Sequence, residues 1–150
     1  MKITVLCISK TIDSYILEGM REFQNRIKHY IKLDWIELPE VKNRKNLQQD
    51  QLLQMEEALF LKQLQNTDSI FLLDENGKEF NSRQFSDFIQ KKMIDSTSNL
   101  VFLIGGPYGF SEGMYKKASG KISLSKMTFT HQMVRLFFLE QVYRAMSIIN

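Results

Sequence analysis

Cysteine is almost missing from this sequence: Cys7 is the only one. A single thiol permits no internal disulfide and no cysteine set for zinc. Histidine is nearly as scarce, and His29 and His131 lie too far apart for a local ligand motif, so no metal is expected. There are two prolines, and no repeat or Pro/Gly-rich stretch marks a linker, so residues 1–150 are read as one domain. No apolar run approaches the roughly 20 residues that cross a bilayer. The start, MKITVLCISK, lacks a long apolar stretch followed by a small-residue cleavage site. These absences point to a cytoplasmic chain with no membrane partner.

What is present suits a packed domain: 43% of residues are hydrophobic and 25% charged. The net charge of +3 is too small to announce a polyanion, but it is unevenly spread. Residues 101–150 carry Lys116, Lys117, Lys121, Lys126, Arg135 and Arg144 against Glu112 and Glu140, whereas residues 1–100 carry 14 cations against 15 acids. The basic last third could steer a polyanion.

Hydrophobic spacing predicts alternating strands and helices. Residues 3–8 and 100–106 are continuous apolar runs of the kind buried on both faces of a parallel sheet. SIFLLD, 69–74, reads as a third such strand, residues 31–38 alternate up to Pro39 as an edge strand, and 122–125 make a short one. Helical periods run over 13–30, with Ile16, Met20, Phe23, Ile27 and Tyr30 on one face, and over 48–65, with Leu52, Met55, Leu59 or Phe60, and Leu64 on one face. Ser82, Ser111 and Thr130 are the expected N-caps of three further helices. Asn76-Gly77 is expected to turn the chain after the third strand, and EVKNRKN, 40–46, to form a solvated loop with cations for phosphate. This order implies an α/β domain with a mostly parallel sheet and helices on both faces.

The final helix, 130–149, is apolar on more than one face. It is expected either to be sandwiched in the core or to bury its second face against another copy, and a homodimer is the expectation.

Ligands of open α/β sheets bind at the carboxyl ends of strands. Three such ends carry unusual chemistry: Leu73-Asp74, Gly105-Gly106, and the segment 124–129. The glycine pair alone reads equally as a tight turn, and it is not a dinucleotide fingerprint.

The runs LDENGK (73–78), FLIGGPYG (102–109) and SLSKMTFTHQMVRLFFLEQVYRA (123–145) resemble the RlmH family. Its members are SPOUT-class methyltransferases that modify N3 of a pseudouridine in bacterial large-subunit (23S) rRNA. The resemblance covers nearly the whole chain. It implies a C-terminal trefoil knot, a dimer, the assembled ribosome as substrate, and S-adenosylmethionine held by Leu73, Gly105, Leu124, Ser125, Lys126, Met127, Thr128 and Phe129. Two departures stand out: Thr130 replaces a usual proline, and the family's Tyr-His pair beyond the last helix does not occur before Asn150. An alternative reading is therefore a non-catalytic RNA-binding protein of the same fold.

An activated sulfonium needs no protein nucleophile, only alignment of donor and acceptor and removal of one proton. His131 is the imidazole available to orient the base or accept that proton, and Arg135, one turn later, is expected to hold phosphate or stabilise charge on a carbonyl, with a salt bridge to Glu140 or another acid as its alternative role. Lys116, Lys117, Lys121 and Arg144 are the expected contacts to the RNA backbone.

Overall fold

Strand β1 (Lys2–Ile8) is buried along nearly its whole length because it pairs on both sides, with β2 (Leu33–Leu38) and with β4 (Asn99–Ile104). β4 in turn pairs with β3 (Ser69–Glu79), and β3 with β5 (Gly120–Ser123), giving a five-stranded sheet in the order β2-β1-β4-β3-β5. Every pairing is parallel. The computed structural model describes all residues from Met1 to Asn150.

Alternation along the strands sorts the core into two layers. Ile3, Val5 and Cys7 of β1 face one side, with Leu100 and Phe102 of β4. There they meet α1 (Ser14–Ile27), α3 (Ser82–Ile94) and α5 (His131–Ile149). Leu6 and Ile8 face the other side with Leu72 and Leu103, against Phe60 of α2 (Gln49–Leu61) and Met114 of α4 (Glu112–Lys117). Successive residues of a strand point to opposite faces, so a continuous apolar run serves both layers. The α/β reading with helices on both faces is therefore correct, and β2 is an edge strand.

Helix α5 packs against both α1 and α3, and Phe138 meets Phe102 of β4 edge-on at a centroid distance of 4.8 Å. Its wide apolar surface is largely absorbed by this central position. Phe138, Leu139, Val142, Ala145 and Met146 are buried, while Leu136, Phe137 and Tyr143 are half-buried.

Three local expectations need correction. The ENGK segment is not a turn: β3 continues to Glu79, with a register shift against β5 between Leu73 and Lys78. Neither Asn76 nor Gly77 has a positive φ. Gly77 is required for a different reason, since a Cβ there would stand 2.6 Å from the backbone nitrogen of Ile122. Met55 is exposed, and Leu53 and Glu56 turn inward instead, because α2 meets the sheet through a slightly rotated face. Asn81, not Ser82, caps α3: its side chain accepts from the Gln84 amide while Gln84 reaches back to the Asn81 amide. The caps at Ser111 and Thr130 are as expected, each accepting from the amide three residues on.

Candidate active site

Because all five strands are parallel, the segments that follow them emerge at one edge of the sheet. A cleft of about 530 Å³ opens there, over the ends of β4 and β5 and the part of β3 where its pairing with β4 stops, at Leu73. Its floor and walls come from Leu73 to Asn76, from Ile104 to Phe110, and from the segment leading into α5. Leu73, Gly105, Leu124, Ser125, Met127, Thr128, Phe129 and His131, separated by up to 58 positions in sequence, all line it.

Gly105 sits where β4 ends. A Cβ at this position would lie 2.8 Å from the Gly109 carbonyl oxygen and 3.2 Å from the Phe110 ring, so only glycine lets the 105–109 loop fold back on itself. The loop is closed by the Gly109 amide donating to the Gly106 carbonyl at 3.1 Å. Opposite it, the segment 124–129 is held by short polar contacts. Ser125 Oγ accepts from the Met127 amide at 3.0 Å, the Ser123 hydroxyl donates to the Ser125 carbonyl at 3.0 Å, and the Thr128 hydroxyl donates to Glu75 at 3.1 Å. Phe129 stacks near Phe137 at a centroid distance of 4.8 Å, which anchors the segment to α5. Small hydroxyl residues thus shape the loop by replacing backbone partners.

Lys126 is the member of this segment that does not line the cleft. It is exposed and forms an ion pair with Glu79 at 3.7 Å, on the outside of the loop.

Asp74 and Glu75 bring two carboxylates to the cleft wall. The Tyr115 hydroxyl donates to Asp74. Burial pushes the Tyr115 phenol up to about 12, helped by the neighbouring Asp74. It therefore stays a proton donor at any physiological pH. Sequence reasoning did not single out Tyr115, which lies on a short helix remote in sequence from Asp74. Tyr108, 56% exposed, projects from the glycine loop at the same cleft.

His131 is the first residue of α5, at the helix end where N–H groups point outward. Its imidazole is held below the usual histidine range, chiefly by burial and further by the positive charges of Arg135 and Arg44, with Glu40 opposing. A neutral ring is therefore favoured near pH 7.

Arg135 makes a salt bridge to an acid, the alternative role, and that acid is Glu37 rather than Glu140. The arginine is 1% exposed and does not line the cleft. One guanidinium nitrogen donates to the Ile8 carbonyl at 2.7 Å, and the other to the Ser9 carbonyl at 3.0 Å and the Thr11 hydroxyl oxygen at 2.8 Å. Glu37 supplies the balancing charge at 3.4 Å. The helical spacing from His131 is right, but at i+4 the longer side chain turns beneath the surface into the end of β1. The basic residues of the last third are also dispersed. Lys116 pairs with Glu112 at 3.5 Å, Lys121 lies over the Tyr115 ring at 5.3 Å, and Lys117 and Arg144 are exposed. Arg144 lies 13 residues beyond His131 on α5, about 20 Å along the axis.

A parallel, doubly covered sheet with a cleft at its carboxyl edge, walled by a glycine loop and a helix entrance, is the frame of a small-ligand-binding α/β domain. Over residues 1–150 the chain matches the family described as "Predicted SPOUT methyltransferase", and it belongs to that family, in the branch of the large-subunit methyltransferases H. It is 54% identical over 150 residues to the Ribosomal RNA large subunit methyltransferase H of Parabacteroides distasonis, an alignment covering 100% of this chain and 96% of the relative. The protein of the same name from Cytophaga hutchinsonii gives the same identity and coverage. Among solved structures, the SpoU methyltransferase AviRb from Streptomyces viridochromogenes, in complex with AdoMet, superposes with a TM-score of 0.49 at 14% identity, covering 95% of this chain and 57% of that one. That likeness is too distant to inform the site.

Proposed function

We propose that this protein uses S-adenosylmethionine to methylate N3 of a pseudouridine in bacterial large-subunit (23S) rRNA, acting in the cytoplasm on the assembled ribosome. The observation that carries the reading is the convergence of Leu73, Gly105 and the segment 124–129 on one cleft, in a chain whose relatives bear the name of an rRNA large-subunit methyltransferase.

The residues present fit the donor. Gly105 exposes backbone for adenine to hydrogen-bond, Leu73, Leu124 and Phe129 supply apolar walls, and the carboxylates of Asp74 and Glu75 suit a cationic ligand. When bound, the donor brings a methyl group already activated on a sulfonium. The rest is positioning by this chain. His131, neutral and at the cleft, orients the uracil edge and can accept the N3 proton as the acceptor nitrogen becomes nucleophilic. Arg135 acts indirectly by tying α5, and with it His131, to the end of β1. Lys126 belongs to the loop without facing the donor.

The active form is proposed as a homodimer in which the half-buried flank of α5 meets a second copy, with the C-terminal region threaded as a trefoil knot. Lys117 and Arg144, both exposed, remain the C-terminal candidates for RNA contact, with Lys116 and Lys121 able to exchange their present partners for phosphate. The deciding experiment incubates the protein with ribosomes from a methylation-deficient strain and labelled donor, then maps the modified base. Label at N3 of a single pseudouridine supports the reading. Donor binding without transfer, or RNA binding without donor binding, rejects it in favour of a binding protein of the same fold.

A further inference from the structure

The carboxyl edge of the sheet has two sides of opposite electrostatic character. On the β3 side, Asp74 and Glu75 wall the cleft. On the β1–β2 side three lysines stand free, while Glu37 and Glu40 are engaged by Arg135 and Arg44 and Asp13 is exposed at the start of α1. Lys10 follows β1, and Lys42 and Lys45 follow β2. All three are exposed and none forms an ion pair, whereas Arg44 between them is held by Glu40 at 2.8 Å.

These lysines belong to a rim joined by hydrogen bonds to the cleft. The Ser9 amide donates to the Leu38 carbonyl at 2.7 Å, linking the ends of β1 and β2. Gln132, next to His131, accepts from the Ile12 amide at 2.9 Å and donates to the Lys10 carbonyl at 3.1 Å. The loop after β2 is shaped rather than slack: Asn43 takes a left-handed conformation with φ 56°, and a single 3-10 turn spans Arg44–Asn46. Since β1 separates β2 from β4 and neighbouring strands lie about 4.8 Å apart, the end of β2 stands about 10 Å from the end of β4, and Glu40 and Arg44 of the loop that follows β2 lie close enough to His131 to act on its charge.

We propose that Lys10, Lys42 and Lys45 form a phosphate-binding rim that holds the RNA strand entering the cleft beside His131. The inference rests on RNA as the substrate and adds where its backbone lies. It places the grip in the part of the chain whose overall charge is slightly acidic, because free cations at the site matter more than the regional sum. Each lysine would contact one phosphate and release counterions on binding. The acidic wall on the opposite side repels phosphate, which fixes the direction from which the strand arrives.

The test compares the triple variant Lys10→Ala, Lys42→Ala, Lys45→Ala with Lys28→Ala, Lys32→Ala, Lys62→Ala. The second set removes the same charge from exposed, unpaired lysines that precede β2 and β3 at the opposite edge. Binding of naked large-subunit rRNA and of ribosomal particles is measured by filter retention across a salt series, with calorimetry for S-adenosylmethionine as a check on folding. The rim variant should bind naked rRNA and particles at least about tenfold more weakly than wild type near 0.1 M salt, and lose about three from the log–log salt slope. The control set and the donor affinity should be unchanged. Equal losses in both variants, or a wild-type slope in the rim variant, would overturn the rim. So would crosslinking of the rim lysines, in the particle, to a ribosomal protein rather than to rRNA. Failure of wild type to transfer methyl groups would instead strike the proposed reaction, while the binding comparison still decides the rim.

Discussion

Arg135 donates from its buried guanidinium to the carbonyl of Ile8 at 2.7 Å, joining the start of the last helix to the end of the first strand. The contact spans 127 positions. It converts a side chain that looked chemical into a tie that positions the cleft.

Replacing Arg135 with alanine removes the donor for three acceptors and strands Glu37 beside the Thr11 and Trp35 donors. Loss of one partner of a buried pair costs about 3–5 kcal/mol. Urea denaturation should register a loss of that size. Turnover per folded molecule should fall far less than the loss in folded yield; a purified, fully folded variant with turnover abolished and donor affinity intact would return Arg135 to the chemistry.

Glu37 gives a pH signature. Burial alone would raise its pKa, but hydrogen bonds from Thr11 and Trp35 and the Arg135 charge hold it below the usual carboxylate range. A group whose pKa is depressed on folding stabilises the protein above its unfolded value, near about 4.3, and that contribution is lost as pH falls through the folded value. Wild-type protein should therefore lose stability below about pH 4.3 more steeply than Glu37→Gln, while being the more stable of the two at pH 7. Parallel Tm curves from pH 7 to 3 would contradict this.

Two glycines should behave differently on substitution by alanine. At Gly77 the new methyl meets the backbone of β5, 2.6 Å from the Ile122 nitrogen, so the β3–β5 pairing must shift. Global stability should drop by about 1–3 kcal/mol. At Gly105 the obstruction is the Gly109 carbonyl at 2.8 Å within the cleft loop. Calorimetry should find donor binding weakened there by at least about tenfold, the equivalent of about 1.4 kcal/mol. A Gly105→Ala protein with unchanged donor affinity would detach the loop from the ligand.

His131 should titrate below the ordinary histidine value in a proton NMR experiment. Burial is the larger cause, and Arg44 and Arg135 add to it. Arg44→Ala removes one repelling charge and leaves Glu40 unpaired, and both changes favour the imidazolium, so the His131 pKa should rise. His131→Ala should lower turnover by at least about tenfold with donor affinity preserved. Undiminished turnover would remove the histidine from the reaction.

Much of this could be read along the chain, and the exceptions are instructive. The apolar runs in β1, β3 and β4 and the helical period of α1 reported burial faithfully, because each depends only on neighbours two to four positions away. The cleft-lining residues were found through motif resemblance, and no local rule joins Leu73 to Phe129. The ENGK segment misled because Asn-Gly ordinarily signals a turn, whereas here Gly77 serves close packing against β5. Arg135 stayed open between a place at the site and a salt bridge because helical spacing gives a direction around the axis but not the depth to which a side chain descends. The regional charge count drew attention to the last third, where two of the lysines are already engaged by Glu112 and the Tyr115 ring.

The sequence by itself determined the class of domain, the order of its elements and the segments that line the cleft, since periodicity and motif spacing survive as properties of the linear chain. The tertiary structure decided which charges are free and which are spent. Pairing depends on distances across the fold: Arg135 finds the end of β1 more than a hundred residues away, while Lys10, Lys42 and Lys45 find no acid at all. Coulomb and hydrogen-bond energies act only at short range in salt water, so a cation's role is settled by what folding brings within a few ångströms of it.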